Sequence, residues 1–257
     1  MQSQSEVKAS FKLLVFATLL TLALWFIPFA GVITYPIRLF VTYVHEIGHA
    51  LAALATLGGV NRVALDWSGS GVTFTQGGLG FLISSAGYLT TTLYGSALLL
   101  FLRRERNAKL AAIGTGAVLL LFTALFGGNL LAWLAGLVFG GGCLLLGMKG
   151  KPRLVHFCMS FLAVQCLLNA FYDLRTVLYL SAFDPAFPTD ARNMSQATGG
   201  FLPPVVWAAG WAVLSVGVVA GTLLIYYRSL RERAALPTAA IPSLITDHSA
   251  TAAGPHL

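Results

Sequence analysis

Seven long apolar runs follow one another along this chain of 257 residues, joined by short polar breaks. A helix that crosses a bilayer needs about 20 mostly apolar residues. Hydrophobic residues make up 57% of the chain and charged residues only 10%, whereas an ordinary soluble domain carries about 25% charged residues. The composition therefore excludes a soluble globular protein and a disordered chain. It predicts an all-α polytopic membrane protein with about six or seven transmembrane helices.

The apolar runs also set the predicted domain organisation. A short N-terminal segment covers residues 1–12, a transmembrane domain covers 13–233, and a tail covers 234–257. We predict that the tail is disordered, because it is rich in Pro, Ala, Ser and Thr and has little apolar content to bury. The runs span approximately residues 13–33, 35–57, 79–102, 110–126, 130–148, 154–180 and 203–227.

Basic residues cluster at the ends of apolar runs, at residues 103–106, 149–153 and 228–233. This placement is typical of cytoplasmic loops, and it favours a multi-pass membrane protein over a nucleic-acid-binding surface. The three clusters are separated by even numbers of predicted helices, which places the N-terminus outside. Lys8 and Lys12 favour the opposite orientation, so the sequence leaves the orientation open, and it leaves the oligomeric state open as well.

The Gly-rich stretch at residues 58–78 interrupts the helical pattern. Val63 and Leu65 alternate with polar or small neighbours, Ser68 to Gly71 supply residues typical of a turn, and alternation resumes at residues 72–75. This pattern predicts a small β-hairpin, with a flexible polar loop as the alternative. Because backbone groups on a free strand edge cannot face hydrocarbon, the hairpin must lie at the membrane interface or be shielded by protein.

A His-Glu-x-x-His motif lies in the middle of the second apolar run, at residues 45–49. On a helix, His45 and His49 are about 40° apart on one face, so both imidazoles can hold one metal ion. Zinc is the natural candidate, with three protein ligands and a fourth position for water. Glu46 is then placed to act as the general base that accepts a proton from that water as it attacks a carbonyl.

Neither chance nor structure alone accounts well for this motif. Random shuffling of the chain would produce it on the order of 0.0015 times. An unpaired carboxylate near the centre of a bilayer costs roughly 2.5–3.5 kcal/mol on insertion scales, so Glu46 is a functional candidate by its position. The alternative is a hydrogen-bonded His-Glu pair that only joins helices.

The motif and the hairpin together resemble the site-2-protease-type intramembrane zinc metallopeptidases, especially their compact bacterial members. The resemblance rests on His45-Glu46-Ile47-Gly48-His49-Ala50 within an apolar helix, followed by a Gly-rich hairpin, and it covers roughly residues 36–210. Two motifs depart from the family pattern: Tyr172-Asp173-Leu174 stands where Leu-Asp-Gly is usual, and Gly87-Tyr88 stands where Gly-Pro is common.

The resemblance implies that an aspartate on a later transmembrane helix is the third zinc ligand. Asp173 matches this position, since it is the one acidic residue inside a later apolar run. Asn169 lies one helical turn away on the same face, where its amide can bind a substrate backbone or the ligand carboxylate. Pairing of Asp173 with Arg175 is the structural alternative. Asp190 is the reserve ligand, although a solvated loop carboxylate is the commoner case there.

These residues predict an intramembrane zinc-dependent endopeptidase. His45, His49 and Asp173 hold Zn²⁺, Glu46 activates water, and Asn169 contacts the substrate, which is a transmembrane protein within the lipid bilayer. Two alternatives remain open: a transporter or metal- or proton-handling membrane protein that uses the same ionisable groups, and an inactive regulator with the metallopeptidase fold.

Overall fold

A computed structural model describes residues 15–16, 18–24, 27, 31–184 and 186–235. The N-terminal segment 1–12, much of the first apolar run and the tail beyond residue 235 lie outside the described residues, so the predictions for them stay untested. The described elements are α1 (Gly31–Ala55), β1 (Gly59–Leu65), β2 (Gly71–Gln76), α2 (Gly80–Phe101), a 3₁₀ turn (Glu105–Asn107), α3 (Ala108–Phe126), α4 (Leu130–Ala135), a π-helical turn (Gly136–Gly140), α5 (Gly141–Lys149), α6 (Pro152–Phe183), α7 (Asp190–Ala197) and α8 (Pro204–Ala235).

Four helical segments of the described chain are long and apolar enough to cross a membrane. They fit the predicted polytopic membrane protein, and they leave the predicted number of six or seven spans unconfirmed. Their bounds are Glu105–Phe126, Leu130–Lys149, Pro152–Phe183 and Pro204–Arg228.

Helix α1 carries the His-Glu-x-x-His motif and ends at Ala55, two residues before a residue with a left-handed backbone conformation. Leu57 adopts a left-handed conformation with φ 60°. The amide of Leu57 donates to the carbonyl of Leu54, and the amide of Gly58 donates to that of Ala53 over 2.8 Å. This pair of bonds is a Schellman motif, which satisfies the last carbonyls of the helix. The chain therefore leaves α1 in a fixed direction and enters the hairpin at once.

The predicted hairpin is present, and it lies along α1. Strands β1 and β2 pair antiparallel, with Val63 opposite Thr73 and Leu65 opposite Gly71. Val63 and Leu65 are buried, as their alternation predicts. The hydroxyl of Thr42 on α1 donates to the carbonyl of Gly69 in the turn over 2.8 Å. The hairpin is therefore fastened to the helix that carries the motif.

The two edges of the hairpin differ. On β1, the carbonyl of Val63 accepts from the amide of Gly128, and the Asn129 side chain bonds both the amide and the carbonyl of Leu65. The same Asn129 oxygen also caps α4. Protein therefore shields the β1 edge, as the sequence argument required. The backbone groups of Val63 and Leu65 point away from β2. In an antiparallel pair the residues opposite them, Thr73 and Gly71, then direct their own backbone groups away from β1, towards the outer edge of β2.

Helices α1 and α2 approach each other closely beside the motif. A Cβ atom on Gly48 would lie 2.7 Å from Cβ of Thr90 and 2.9 Å from the carbonyl oxygen of Ala86. Small residues at such a crossing let helix backbones come together. Ala86 and Thr90 of α2 therefore pack directly against the motif helix.

The chain around Asp190, which the sequence analysis places in a loop, forms the short helix α7. The Thr189 hydroxyl caps α7 by accepting from the amide of Arg192. Met194 and Ala191 are buried against α8 and the end of α6, in a cluster with Trp211 and Leu174. This packing holds the first turn of α7, and with it Asp190, in place.

Candidate metal centre

The two histidines of the motif converge as their spacing predicts. Nε2 of His45 lies 3.0 Å from Nε2 of His49. Nδ1 of His49 lies 2.6 Å from the carbonyl oxygen of Ile83 on α2. Because a carbonyl only accepts, Nδ1 of His49 carries the proton and donates it there. Nε2 of His49 is then the ring nitrogen left to bind a metal ion, and the Ile83 carbonyl fixes the ring in the orientation that a metal ligand needs.

Asp190, at the start of α7, supplies the carboxylate that meets both imidazoles. Its Oδ2 lies 3.1 Å from Nε2 of His45 and 3.4 Å from Nε2 of His49. Burial raises the pKa of Asp190, but the two imidazoles more than offset burial and hold this pKa well below its usual range. The carboxyl is therefore ionised, which is the form that binds metals. The expectation that Asp190 is a solvated loop residue is wrong, because α7 packs it into the helical domain.

These three side chains fit a metal ion. Their nearest atoms form a triangle with sides of 3.0, 3.1 and 3.4 Å. Neighbouring ligands of a tetrahedral zinc ion with bonds of about 2.0–2.2 Å are separated by about 3.3–3.6 Å, within a few tenths of an ångström of these sides. His45, His49 and Asp190 are the group of His, Cys, Asp and Glu side chains among the described residues whose ligand atoms come close enough to share one ion. Two imidazoles and a carboxylate are also a donor set that zinc accepts.

Glu46 is buried beside this triangle, where the hairpin covers it. The hydroxyl of Thr73 lies 2.6 Å from Oε2 of Glu46 and 3.0 Å from its backbone carbonyl. A Cβ atom on Gly71 would lie 2.7 Å from both Cγ and Oε1 of Glu46. Strand β2 therefore reaches the carboxylate only because Gly71 lacks a side chain. This contact was not foreseen from sequence, although a glycine opening an alternating strand is the kind of signal that marks close approach.

Helix α2 also contacts the site, at Gly87 and Tyr88. A Cβ atom on Gly87 would lie 2.2 Å from Nε2 of His45. The ring of Tyr88 meets the His45 ring edge-to-face, with centroids 4.6 Å apart. The glycine is thus required for His45 to occupy its position. From the sequence, Gly87-Tyr88 is only a departure from the family pattern, and no contact with His45 is predicted for it.

Asp173 and Asn169 stand apart from the triangle. Asp173 on α6 lies within electrostatic range of His45 and Arg38, but it does not join the three-atom group. No ion pair to Arg175 is found for it among the described residues. The amide of Asn169 donates to the carbonyl of Gln165, one turn earlier in its own helix. The roles predicted for Asp173 and Asn169 therefore stay predictions.

Comparison with models of known protein families shows which family the chain belongs to. The profile described as Peptidase M50B-like matches residues 14–222, which is most of the chain. The chain belongs to this family. The resemblance to site-2-protease-type peptidases stated from sequence is thereby confirmed. Searches of curated proteins and of solved structures gave no significant match.

Family membership and geometry agree on the coarse nature of the site. The Peptidase M50B-like match and the cluster of His45, His49 and Asp190 fit a metallopeptidase, and the family consists of zinc metallopeptidases. The apolar helices together with the family fit an integral membrane protein.

Proposed function

We propose that this protein is a multi-pass intramembrane zinc-dependent endopeptidase of a bacterial inner membrane, and that it cleaves transmembrane protein substrates. The observation that carries the proposal is the triangle of His45, His49 and Asp190 ligand atoms, with the buried carboxylate of Glu46 next to it. Zinc bound there would polarise the scissile carbonyl and lower the pKa of a water molecule towards 7.

The protein residues supply the proton transfers. Glu46 accepts a proton as water adds to the carbonyl carbon, and it passes a proton to the amide nitrogen as the C–N bond breaks. The hydrogen bond from Thr73 orients Oε2 of Glu46, which leaves the other carboxylate oxygen available. Asp190 is the third ligand that the geometry favours, while Asp173 lies close enough to His45 to influence it electrostatically.

The hairpin suggests how a substrate is held. Hydrolysis needs an extended segment, since the carbonyl groups of a helix are engaged in hydrogen bonds. The β1 edge is shielded by Gly128 and Asn129, whereas no further backbone partner for β2 is found in the described part of the chain. An unwound substrate segment added to the β2 edge would pair with Gly71 and Thr73, beside Glu46.

The test uses the full-length protein in liposomes with a quenched fluorogenic library of single-spanning peptides. We expect wild type to bind one equivalent of zinc and to cleave members of the library. Glu46→Gln should keep the zinc and lose turnover, and His45→Ala should lose both. An active Glu46→Gln protein would contradict the role of Glu46, and a zinc-free wild type would contradict the metal centre.

A further inference from the structure

Tyr88 is held rigidly beside the metal centre by two aromatic contacts. Its ring meets His45 edge-to-face at 4.6 Å and lies over Trp211 at 5.5 Å, with the planes 29° apart. Trp211 is itself buried, and its indole N–H donates to the Ser85 hydroxyl over 3.1 Å. Because the Tyr88 ring packs between His45 and Trp211, it cannot move without displacing them. The position of its hydroxyl is therefore set before a substrate binds.

The hydroxyl of Tyr88 lies near the carboxylates of the site and has no other assigned role. It lies within electrostatic range of Asp190, Asp173 and Glu46. No described residue forms a hydrogen bond with it, and Tyr88 is only partly buried. By contrast, the hydroxyl of Tyr94, on the same helix, is bonded to Thr115 over 2.8 Å. Tyr88 thus presents a hydrogen-bond donor that nothing in the described chain uses.

An amide hydrolase has a use for such a donor. When water adds to the carbonyl carbon, the carbonyl oxygen gains a negative charge, and a donor placed beforehand at that oxygen lowers the barrier. The imidazoles of His45 and His49 are committed to the metal and to Ile83, and Glu46 accepts a proton rather than donating one at this stage. Helix α2 also borders the site, and there Tyr88 follows the glycine that leaves room for His45.

We infer that Tyr88 is a catalytic residue whose hydroxyl donates a hydrogen bond to the oxyanion formed when water attacks the scissile carbonyl. This inference rests on the proposed function. No proton leaves Tyr88: the proton of the water goes to Glu46, and the tetrahedral intermediate collapses by breaking the C–N bond.

The decisive variant is Tyr88→Phe, which keeps the ring contacts with His45 and Trp211 and removes only the hydroxyl. With the best-cleaved library peptide, we expect kcat to fall about 100-fold, as on removal of an oxyanion donor elsewhere, with KM within about twofold. Zinc content should equal that of wild type. The matched control is Tyr94→Phe, which removes a hydroxyl from the same helix away from the site and should leave kcat unchanged.

A binding measurement provides a readout independent of turnover. Full-length protein loaded with Co²⁺ is titrated with acetohydroxamate, an anionic oxygen ligand, and binding is followed by visible absorption. Tyr88→Phe should bind acetohydroxamate about tenfold more weakly than wild type, because a hydrogen bond to a charged oxygen is lost. Tyr94→Phe should bind it as wild type does.

The outcomes separate this inference from the proposed function. If kcat and acetohydroxamate affinity of Tyr88→Phe both match wild type, the inference is overturned. Loss of zinc from Tyr88→Phe would also overturn it, since the residue would then be structural. If wild type binds metal but cleaves no peptide, the proposed peptidase function fails while the titration still decides whether Tyr88 donates to an anion.

Discussion

The hydroxyl oxygen of Thr73 lies 2.6 Å from Oε2 of Glu46. One residue belongs to the outer strand of the hairpin and the other to the buried face of α1, 27 positions apart. A donor at this distance from a carboxylate forms a strong, charge-assisted hydrogen bond. The hairpin therefore orients the proposed general base, and its β2 edge is the proposed docking site for a substrate.

Replacing Thr73 by Val should slow peptide hydrolysis without loss of metal. Val has nearly the shape of Thr but no hydroxyl, so Glu46 loses its orienting donor. We expect kcat to fall about tenfold, equivalent to about 1.4 kcal/mol in the barrier, while zinc content stays at the wild-type level. Thr73→Ser should restore most of the activity, and Thr75→Val, on the same strand, should behave as wild type. Equal kcat in Thr73→Val and wild type would remove Thr73 from the mechanism.

Gly71→Ala should affect Glu46 and spare the metal. The new Cβ would lie 2.7 Å from Oε1 of Glu46, so either the carboxylate or the strand must shift. We expect one equivalent of zinc by metal analysis and at least a tenfold loss of kcat. Gly114→Ala, where no atom lies within 4 Å of the new Cβ, is the control. Unchanged turnover in Gly71→Ala would show that this close approach has no catalytic consequence.

Gly87→Ala, in contrast to Gly71→Ala, should weaken metal binding. Its Cβ would lie 2.2 Å from Nε2 of His45, which forces the imidazole away from His49 and Asp190. We expect zinc affinity to fall about 10–100-fold, as on loss of ligand orientation, measured by competition with a zinc chelator. Gly210→Ala on α8, which has open space around it, should retain wild-type affinity. Wild-type affinity in Gly87→Ala would mean that His45 is not a ligand in this position.

Asp190→Asn and Asp173→Asn test which carboxylate is the third ligand. Asn keeps the shape of Asp and removes its charge. Because Asp190 contacts both imidazoles, Asp190→Asn should lose zinc, whereas Asp173→Asn should keep one equivalent. The measurement is zinc content after purification in the presence of a weak chelator. The opposite result would return the ligand role to Asp173, as predicted from the family resemblance.

Tyr43→Phe should lower stability and leave the metal centre intact. Tyr43 is fully buried on α1, and its hydroxyl lies 2.6 Å from the Thr123 hydroxyl on α3. Loss of a buried hydrogen bond between helices costs about 1 kcal/mol. We therefore expect a lower Tm in detergent with unchanged zinc content. An unchanged Tm would mean that this bond contributes nothing net to stability.

The sequence alone determined the features that depend on local periodicity. Long apolar runs predict helices because backbone groups in lipid must be satisfied within the segment, and α2, α3 and α6 begin and end within a few residues of the predicted bounds. Alternation around Val63 and Leu65 predicted the hairpin. The four-residue spacing placed His45 and His49 on one helical face, where their ring nitrogens meet.

The tertiary structure decided what comes from distant segments. Asp190 is 145 positions from His45, and nothing in its neighbourhood along the chain distinguishes a solvated carboxylate from one that α7 packs against the imidazoles. Thr73 and Tyr88 gained their proposed roles in the same way. A helical or strand period fixes which face a side chain occupies, whereas the partner across that face is set by how the helices and the hairpin pack together.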